Sequence, residues 1–434
     1  MSAVPSNSLK ILIVGGGVAG VCAANKFAEH GVETWLIERK PFIGGYAAEF
    51  GCKAADVCLK CNVCVAHDQF RKVLANKKTQ VLTNTCLLGL DSGKDEKTAY
   101  QAKLVKNPQF INHDLCTACG ACIKACPVKC IYQPYPGIYA GRPLIDPQKC
   151  LRTAGEKGKN GKKGKSCSLC AKACPCGAIN LNEKLRQINL PVNAVVIATG
   201  YQPFDPGVQS VYGYKELPNV ITGLEAERQL AKQQKILRPS DGKIPQRIAF
   251  IQCVGSRSEY AHRRPEDTDY CSTVCCAYAM RAARKIKYAN PDSQITFFYM
   301  DLQNFGKDFT SFYGKCRDKI KFIRARPSEV LPGNAGNALI KYEDQDKAAV
   351  GQEEFNLVVL SIGMRPADDS RLVADRFLIS TDESGFFGIK NADGVSDSQK
   401  KNIFIIGACE APKDIAACVD QAEAVSARIL AMKN

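Results

Sequence analysis

Between residues 116 and 176 the chain uses one spacing of cysteines twice, and that repeat restricts its fold more than any other feature of the sequence. Cys116, Cys119, Cys122 and Cys126-Pro127 form C-x-x-C-x-x-C-x-x-x-C-P. Cys150, Cys167, Cys170 and Cys174-Pro175 repeat the pattern with an insertion after the first cysteine. The copies also align outside the cysteines, because Ile111 stands five residues before Cys116 and Ile145 five before Cys150. Thiolates at this spacing give three ligands to one inorganic cluster and send the fourth across to a second cluster. The repeat predicts one [4Fe–4S] cluster on Cys116, Cys119, Cys122 and Cys174, and another on Cys150, Cys167, Cys170 and Cys126. Cys130 and Cys176 are left over. A zinc ribbon also uses C-x-x-C pairs, but two halves that both end in Cys-Pro fit it poorly.

The whole chain has 434 residues and 23 cysteines. The odd count excludes complete pairing in internal disulfides, and a chain long enough for two or three domains does not need such staples. The first apolar run begins at Ile11 and breaks into glycine at Gly15, so neither a signal peptide nor a membrane span of about 18 apolar residues is expected. A cytoplasmic, reducing setting follows. The formal charge of +16 would ordinarily raise nucleic acid or an anionic membrane as partners. Metal-bound thiolates are deprotonated, and several clusters would offset roughly half of that charge. The segment Arg152 to Lys165 (RTAGEKGKNGKKGK) cannot bury a core and reads as a mobile loop. It is either plainly solvated or a basic strip that steers an acidic electron-transfer partner. No aromatic pattern accompanies its charge, so nucleic-acid binding is not expected.

The amino terminus reads strand, glycine turn, helix, strand. Leu9 to Val14 leads into Gly15-Gly16-Gly17-Val18-Ala19-Gly20, a helical stretch runs to about His30, and Glu33 to Ile37 ends at Glu38. In a G-x-G-x-x-G turn the glycines allow a tight bend, close approach of a diphosphate and close helix–strand packing, and the acid receives ribose hydroxyls. Gly15, Gly17, Ala19, Gly20, Glu38, Arg39 and Gly45 are the candidate dinucleotide contacts. Two later segments, Asn193 to Gly200 (NAVVIATG) and Asn402 to Gly407 (NIFIIG), are further buried strands ending in glycine. This arrangement resembles the flavin domain of the thioredoxin-reductase-like, two-dinucleotide-binding flavoproteins and implies FAD at the first site. In that family an Asp follows the last glycine and holds the ribityl chain. Here Ala408 occupies the position, so Lys413 or Asp414 is expected to substitute, with Gly200, Gly407 and Ile415 completing the site.

Arg247 to Ile251 looks like the first strand of a second dinucleotide-binding unit. Where its glycine fingerprint should follow, the chain has Gln252-Cys253-Val254-Gly255, and Tyr270-Cys271-Ser272-Thr273-Val274-Cys275-Cys276 opens a helix running to about Tyr288. Four thiols, Cys253, Cys271, Cys275 and Cys276, stand where a nicotinamide site would be, more than a disulfide needs. The runs CVGSR…YCSTVCCAYAMRAARK, ITFFYMDLQNFGKDFTSFY, FIRARPSEV and GACEAPKDIAACVDQAEA resemble the flavin-carrying A subunit of heterodisulfide reductases. That family includes the flavin subunits of the quinone-interacting oxidoreductase of sulfate reducers and of the benzoyl-CoA reductase complex. The resemblance covers nearly the whole chain. It implies FAD in a thioredoxin-reductase-like core, a [4Fe–4S] cluster on Cys253, Cys271, Cys275 and Cys276, and an inserted ferredoxin domain. Larger members continue past the flavin domain's last helix, where this sequence ends.

A remaining group, Cys52, Cys58, Cys61 and Cys64, follows Gly44-Gly45 closely, and family members commonly carry fewer cysteines here. Its C-x-x-C-x-x-C pattern fits three ligands of another cluster, with Cys52 as the fourth ligand and Cys86 as runner-up. The alternative is a redox-active thiol pair facing the flavin. Cys22, Cys86, Cys316, Cys409 and Cys418 read as small hydrophobes, and Trp35 as core. His67 could serve a cluster, though a solvated role fits it better. None of the four histidines, His30, His67, His113 and His262, lies in a nucleophile–base pattern.

The expected architecture is α/β: a thioredoxin-reductase-like two-dinucleotide-binding core with an inserted two-cluster ferredoxin-like domain. The flavin domain takes residues 1–104, 184–245 and 366–434, the insert 105–183, and the degenerate NAD(P)-type domain 246–365. The expected function is an electron-transfer subunit passing electrons between FAD and a chain of clusters, with flavin-based electron bifurcation implied by the resemblance alone. Partners would be heterodisulfide-reductase B/C-like or hydrogenase delta-like proteins and ferredoxin, with any membrane association peripheral and through them. The alternative is a self-contained NAD(P)H-dependent flavin reductase resembling the small subunit of glutamate synthase.

Overall fold

The computed structural model describes residues 9–93, 99–134, 142–154, 167–258, 268–303, 306–390 and 396–432. Most of the basic segment 152–165, and His262, lie outside the described residues. The first part comprises β1 (Lys10–Val14), α1 (Val18–Glu29), β2 (Glu33–Ile37), α2 (Val63–Ala75), β3 (Thr79–Leu82), β4 (Thr85–Ser92) and β5 (Tyr100–Lys106). An insert with α3 (Ala121–Ala125), β6 (Ile131–Tyr132), β7 (Leu144–Ile145) and α4 (Leu169–Lys172) follows. The chain returns through β8 (Arg186–Val192), β9 (Ala194–Ile197) and β10 (Gln202–Pro203). A second unit holds β11 (Val220–Thr222), α5 (Gly223–Gln233), β12 (Arg247–Val254), α6 (Cys275–Ala289), β13 (Gln294–Tyr299), α7 (Phe309–Arg317) and β14 (Lys321–Arg324). It closes with β15 (Glu329–Pro332), β16 (Ala338–Asp344), β17 (Ala349–Phe355), β18 (Leu357–Ile362) and β19 (Met364–Arg365). The carboxyl-terminal part is α8 (Ser370–Phe377), β20 (Ile403–Ile405) and α9 (Ile415–Ala431).

Two units of the same design result. In the first, five parallel strands run in the order β20-β9-β1-β2-β3. Ile11, Leu12 and Ile13 are fully buried, as continuous apolar strands covered on both faces must be. Helices α1, α2 and α9 cover one face through Phe27, Phe70 and Val425. The antiparallel sheet β4-β5-β8, with α8, covers the other through Leu104, Leu190 and Phe377. Trp35 is buried in that second layer, and its indole N–H donates to Gln80 Oε1 at 3.1 Å. In the second unit the parallel order is β11-β18-β12-β13-β14, with α5, α6 and α7 on one face and the meander β15-β16-β17 on the other.

One stretch differs from the sequence expectation. The sequence places residues 220–245 in the flavin domain, but β11 pairs with β18 and α5 packs its Ala226 and Leu230 into the second unit's core. A three-residue apolar strand carries no label of its sheet; the free edge of β18 takes it. The insert leaves from β5 and returns on β8, whose ends face each other at Lys106 and Arg186. Inside it Ile111 bridges to Ile179 and Ile145 pairs with Ile131, so each half is closed by the other. Among the described residues no helix is long and apolar enough to cross a membrane.

Candidate functional site

A cavity of about 350 Å³ lies at the carboxyl ends of β1, β2, β9 and β20, closed from the second unit by α5 and α6. Its size suits a cofactor pocket, and its place is the one open parallel sheets reserve for ligands. Of the predicted flavin contacts, Gly17, Ala19, Glu38, Arg39, Gly45, Gly200, Gly407, Lys413, Asp414 and Ile415 line it; Gly15 and Gly20 do not. Those two act one layer behind. Gly15 has φ +112° and a Cβ there would lie 2.2 Å from Ala198 O, while a Cβ on Gly20 would lie 2.0 Å from Gly15 O. They let the turn and α1 pack against the sheet.

The pocket tests well against FAD. A Cβ on Gly17 would meet nothing within 4 Å, and no side chain caps the first turn of α1. Open space therefore meets free N–H donors where a diphosphate would sit. Glu38 is held at the edge: Gly16 N donates to Oε2 and Lys40 N to Oε1, both at 2.8 Å. Each oxygen keeps a lone pair for a ribose hydroxyl. The expected substitutes for the missing Asp are already engaged. Asp414 accepts from Ala417 N at 2.9 Å as the N-cap of α9, and Lys413 pairs with Glu410 at 3.2 Å. Both still line the cavity, which the positive end of α9 also faces.

Sequence reasoning missed several lining residues. Lys53 and Glu227 form a buried ion pair on the cavity wall. Burial pushes the Glu227 carboxyl up, and Lys53 opposes that. Tyr46 and Tyr201 pack with ring centroids 5.1 Å apart, and Tyr278 stands on α6. None belongs to a motif. The nearest signal was an acid on the inner face of α5, unreadable before α5 was placed.

The insert brings thiols from both copies together. One small cavity is lined by Cys126, Cys130, Cys150, Cys167 and Cys170, the other by Cys116, Cys119, Cys122, Cys174 and Cys176. Each therefore holds three cysteines of one copy and the Cys-Pro cysteine of the other. The leftover thiols sit beside those Cys-Pro sulfurs, with Cys130 Sγ 3.4 Å from Cys126 Sγ and Cys176 Sγ 3.6 Å from Cys174 Sγ. A four-iron cluster needs its sulfurs spread around a body larger than one ion. Among the described residues no group of three or more His, Cys, Asp or Glu converges on a single-ion site.

In the second unit Cys253 lies on β12 with φ +59°, and Cys275 and Cys276 open α6. Burial raises the Cys275 thiol well above its ordinary value, and the neighbouring Cys276, Cys253 and Cys271 raise it further. All four thiols thus share one electrostatic site. Thr273 and Val274, between Cys271 and Cys275, line the flavin cavity. In the first group Cys52, Cys58 and Cys64 are exposed, whereas Cys61 is half-buried and lines the same cavity. His67 is half-buried, and its Nε2 meets Ala47 O at 3.1 Å rather than a thiol. Cys22, Cys316, Cys409 and Cys418 are buried, and burial lifts Cys22 to about 12. Cys86 is half-buried on β4.

Residues 10–102 match the sequence model of the FAD dependent oxidoreductases, and residues 115–178 that of the 4Fe-4S dicluster domain. The chain is 32% identical over 443 residues to the A subunit of the H(2):CoB-CoM heterodisulfide,ferredoxin reductase of Methanothermobacter marburgensis. It is 34% identical over 444 residues to an iron-sulfur A subunit, numbered 2, of the CoB--CoM heterodisulfide reductase of Methanopyrus kandleri. Both alignments cover 96% of this chain and 63% of the relative. Over 96% of its length the chain is similar to the A subunits of heterodisulfide reductases. It spans just under two thirds of the length of those relatives. Its cofactors are FAD and [4Fe–4S] clusters, and it is an oxidoreductase. The fold is that of Lactococcus lactis thioredoxin reductase, with a TM-score of 0.52 at 13% identity, covering 98% of this chain and 99% of that one. LpdA of Mycobacterium tuberculosis gives a TM-score of 0.51 at 14% identity, covering 98% and 73%.

Proposed function

We propose that the chain is the electron-transfer flavin and iron–sulfur component of a heterodisulfide-reductase-like complex, passing electrons between FAD and a series of [4Fe–4S] clusters to partner subunits. Bound FAD supplies both one- and two-electron chemistry, and the clusters supply one-electron carriers. The residues divide the work. Gly17, Glu38 and the start of α1 receive the diphosphate and ribose, and Gly200, Gly407 and α9 close around the rest of the flavin. Cys116, Cys119, Cys122 and Cys174 hold one cluster of the insert, and Cys150, Cys167, Cys170 and Cys126 the other. Cys253, Cys271, Cys275 and Cys276 hold a third. The observation that carries the reading is the contact between sites: Thr273 and Val274, inside the Cys271–Cys275 loop, form part of the flavin cavity wall.

Partners of the B/C-like, hydrogenase delta-like or ferredoxin type in a cytoplasmic complex, and flavin-based bifurcation, extend this reading through the family resemblance. A self-contained NAD(P)H-dependent reductase would need a nicotinamide site at β12, where Cys253 stands instead of a glycine fingerprint. The test is anaerobic purification with flavin and iron analysis, followed by NADH or NADPH addition to the isolated chain. FAD with iron for at least three clusters, and no rapid flavin bleaching, is expected. Absence of FAD, or only a few irons per chain, overturns the reading; fast bleaching by the chain alone favours the alternative.

A further inference from the structure

We propose that Cys58, Cys61 and Cys64, with Cys52 as fourth ligand, hold a further [4Fe–4S] cluster at the protein surface beside the flavin cavity. The reason is a backbone match invisible in the spacing alone. In the insert's first half, Ala118, two residues after Cys116, has φ +59°; Gly120, next to Cys119, has φ +74°; and α3 begins at Ala121, one residue before Cys122. In the first group Lys60, two residues after Cys58, has φ +50°; Asn62, next to Cys61, has φ +59°; and α2 begins at Val63, one residue before Cys64. The two loops take the same left-handed turns at the same places and enter a helix at the same step.

The left-handed conformation costs a non-glycine residue roughly 1–2 kcal/mol, and it persists where the surroundings require it. Beside ligand cysteines its use is visible. Ala118 N donates to Cys116 Sγ at 3.4 Å, and Thr273 N, at φ +58°, donates to Cys271 Sγ at 3.3 Å. Each turn aims an N–H at a thiolate, the bond that stabilises cluster sulfurs. Cys52 Sγ accepts the same kind of bond, from Ala54 N at 3.4 Å.

The loop is also braced and charge-balanced from α6. Lys285 Nζ donates to Ala54 O at 2.9 Å, Arg281 Nε to Leu59 O at 2.8 Å, and Arg284 Nη2 to Asp56 Oδ1 at 3.2 Å. Three cations thus face a loop that would carry the negative charge of four thiolates and their cluster. A flavin-facing thiol pair would need only Cys58 and Cys61; it leaves Cys52, Cys64 and the duplicated turns without a use. The ligand set stands independently of the flavin reading, while the role of this cluster as an electron port to the flavin rests on it, through Cys61, Asn62 and Val63 on the cavity wall.

Anaerobically prepared holoprotein is assayed for iron, sulfide, zinc and FAD, and examined by paramagnetic resonance after dithionite reduction. About sixteen irons per chain are expected, against about twelve without this site. The Cys58→Ala/Cys64→Ala variant should lose about four irons, keep FAD and lose one set of cluster signals, whereas Lys60→Gly, which adopts the turn without strain, should keep them all. Alkylation of the wild-type holoprotein serves where the double variant fails to fold. Exposed Cys58 and Cys64 should resist iodoacetamide until iron is chelated. About twelve irons in the wild type, unchanged iron in a folded double variant, zinc in place of iron, or prompt alkylation of both thiols overturns the proposal. Cys116→Ala and Cys271→Ala run alongside: iron retained in these bears on the clusters of the insert and second unit, not on this one.

Discussion

Glycines with one sequence signature do two kinds of work in this chain, and substitution separates them. Gly15 is wedged under Ala198 O at positive φ, so Gly15→Ala combines a clash with a strained backbone. It should cost about 3 kcal/mol or more, seen as a lower thermal midpoint together with loss of flavin absorbance. Gly17 faces open cavity. Gly17→Val should fold with little change in midpoint, yet weaken FAD binding by about tenfold or more, equal to about 1.4 kcal/mol. An FAD titration of the deflavinated variant measures this. The motif marks both residues alike; only their neighbours tell packing from contact. Lys53 and Glu227 make the converse point: their pairing across 174 positions of chain leaves no trace in either local sequence.

At the scale of elements, strands with strong patterns are readable and short ones are not. The sequence predicts the second strand at Glu33 to Ile37 and β2 occupies that span, because a buried parallel strand is a plain apolar run between glycine and a charge. The sequence opens a helix within the Cys271–Cys276 run, and α6 begins at Cys275. β11 has three residues, and α5 carries its own start signal, a capping box in which Thr222 Oγ1 accepts from Glu225 N at 3.2 Å and Glu225 Oε2 accepts from Thr222 N at 2.7 Å. That signal says where the helix starts, not which sheet it covers. Thr222→Ala should lower stability by about 1 kcal/mol, read as a shift in the denaturant midpoint. Since Gly223 and Glu227 of α5 line the cavity, FAD should stabilise this variant less than the wild type.

For the whole molecule, the insert is an appendage on a hairpin. Its ends meet at the Lys106–Arg186 pair, so replacing residues 107–185 by Asn-Gly, a two-residue hairpin turn, should leave a folded chain. That chain should bind FAD and lack about eight irons; loss of FAD binding would show that the insert supports the core. The insert's own core is different in kind. Among the described residues, half of its central buried cluster consists of cysteines, Cys122, Cys126, Cys130, Cys150 and Cys170 beside Phe110, Ile111, Ile131, Ile145 and Ala178. A core of thiols has little apolar area to bury without metal, so its folding free energy is largely binding free energy. Removal of iron should abolish hydrogen-exchange protection around Ile111 and Ile131 while β1 and β2 stay protected.

Repeats, apolar runs and glycine turns are local, so the doubled cysteine spacing, the first dinucleotide unit and the thiols that replace the second fingerprint could all be read from residue order. Which strand edge takes β11, which buried charges face the flavin cavity, and how close the Cys271–Cys275 and Cys58–Cys64 loops come to it are settled by packing between distant segments. The left-handed turn at Lys60 belongs to this second class: no glycine marks it, and the loop is tied to α6 next to it by Arg281 Nε donating to Leu59 O.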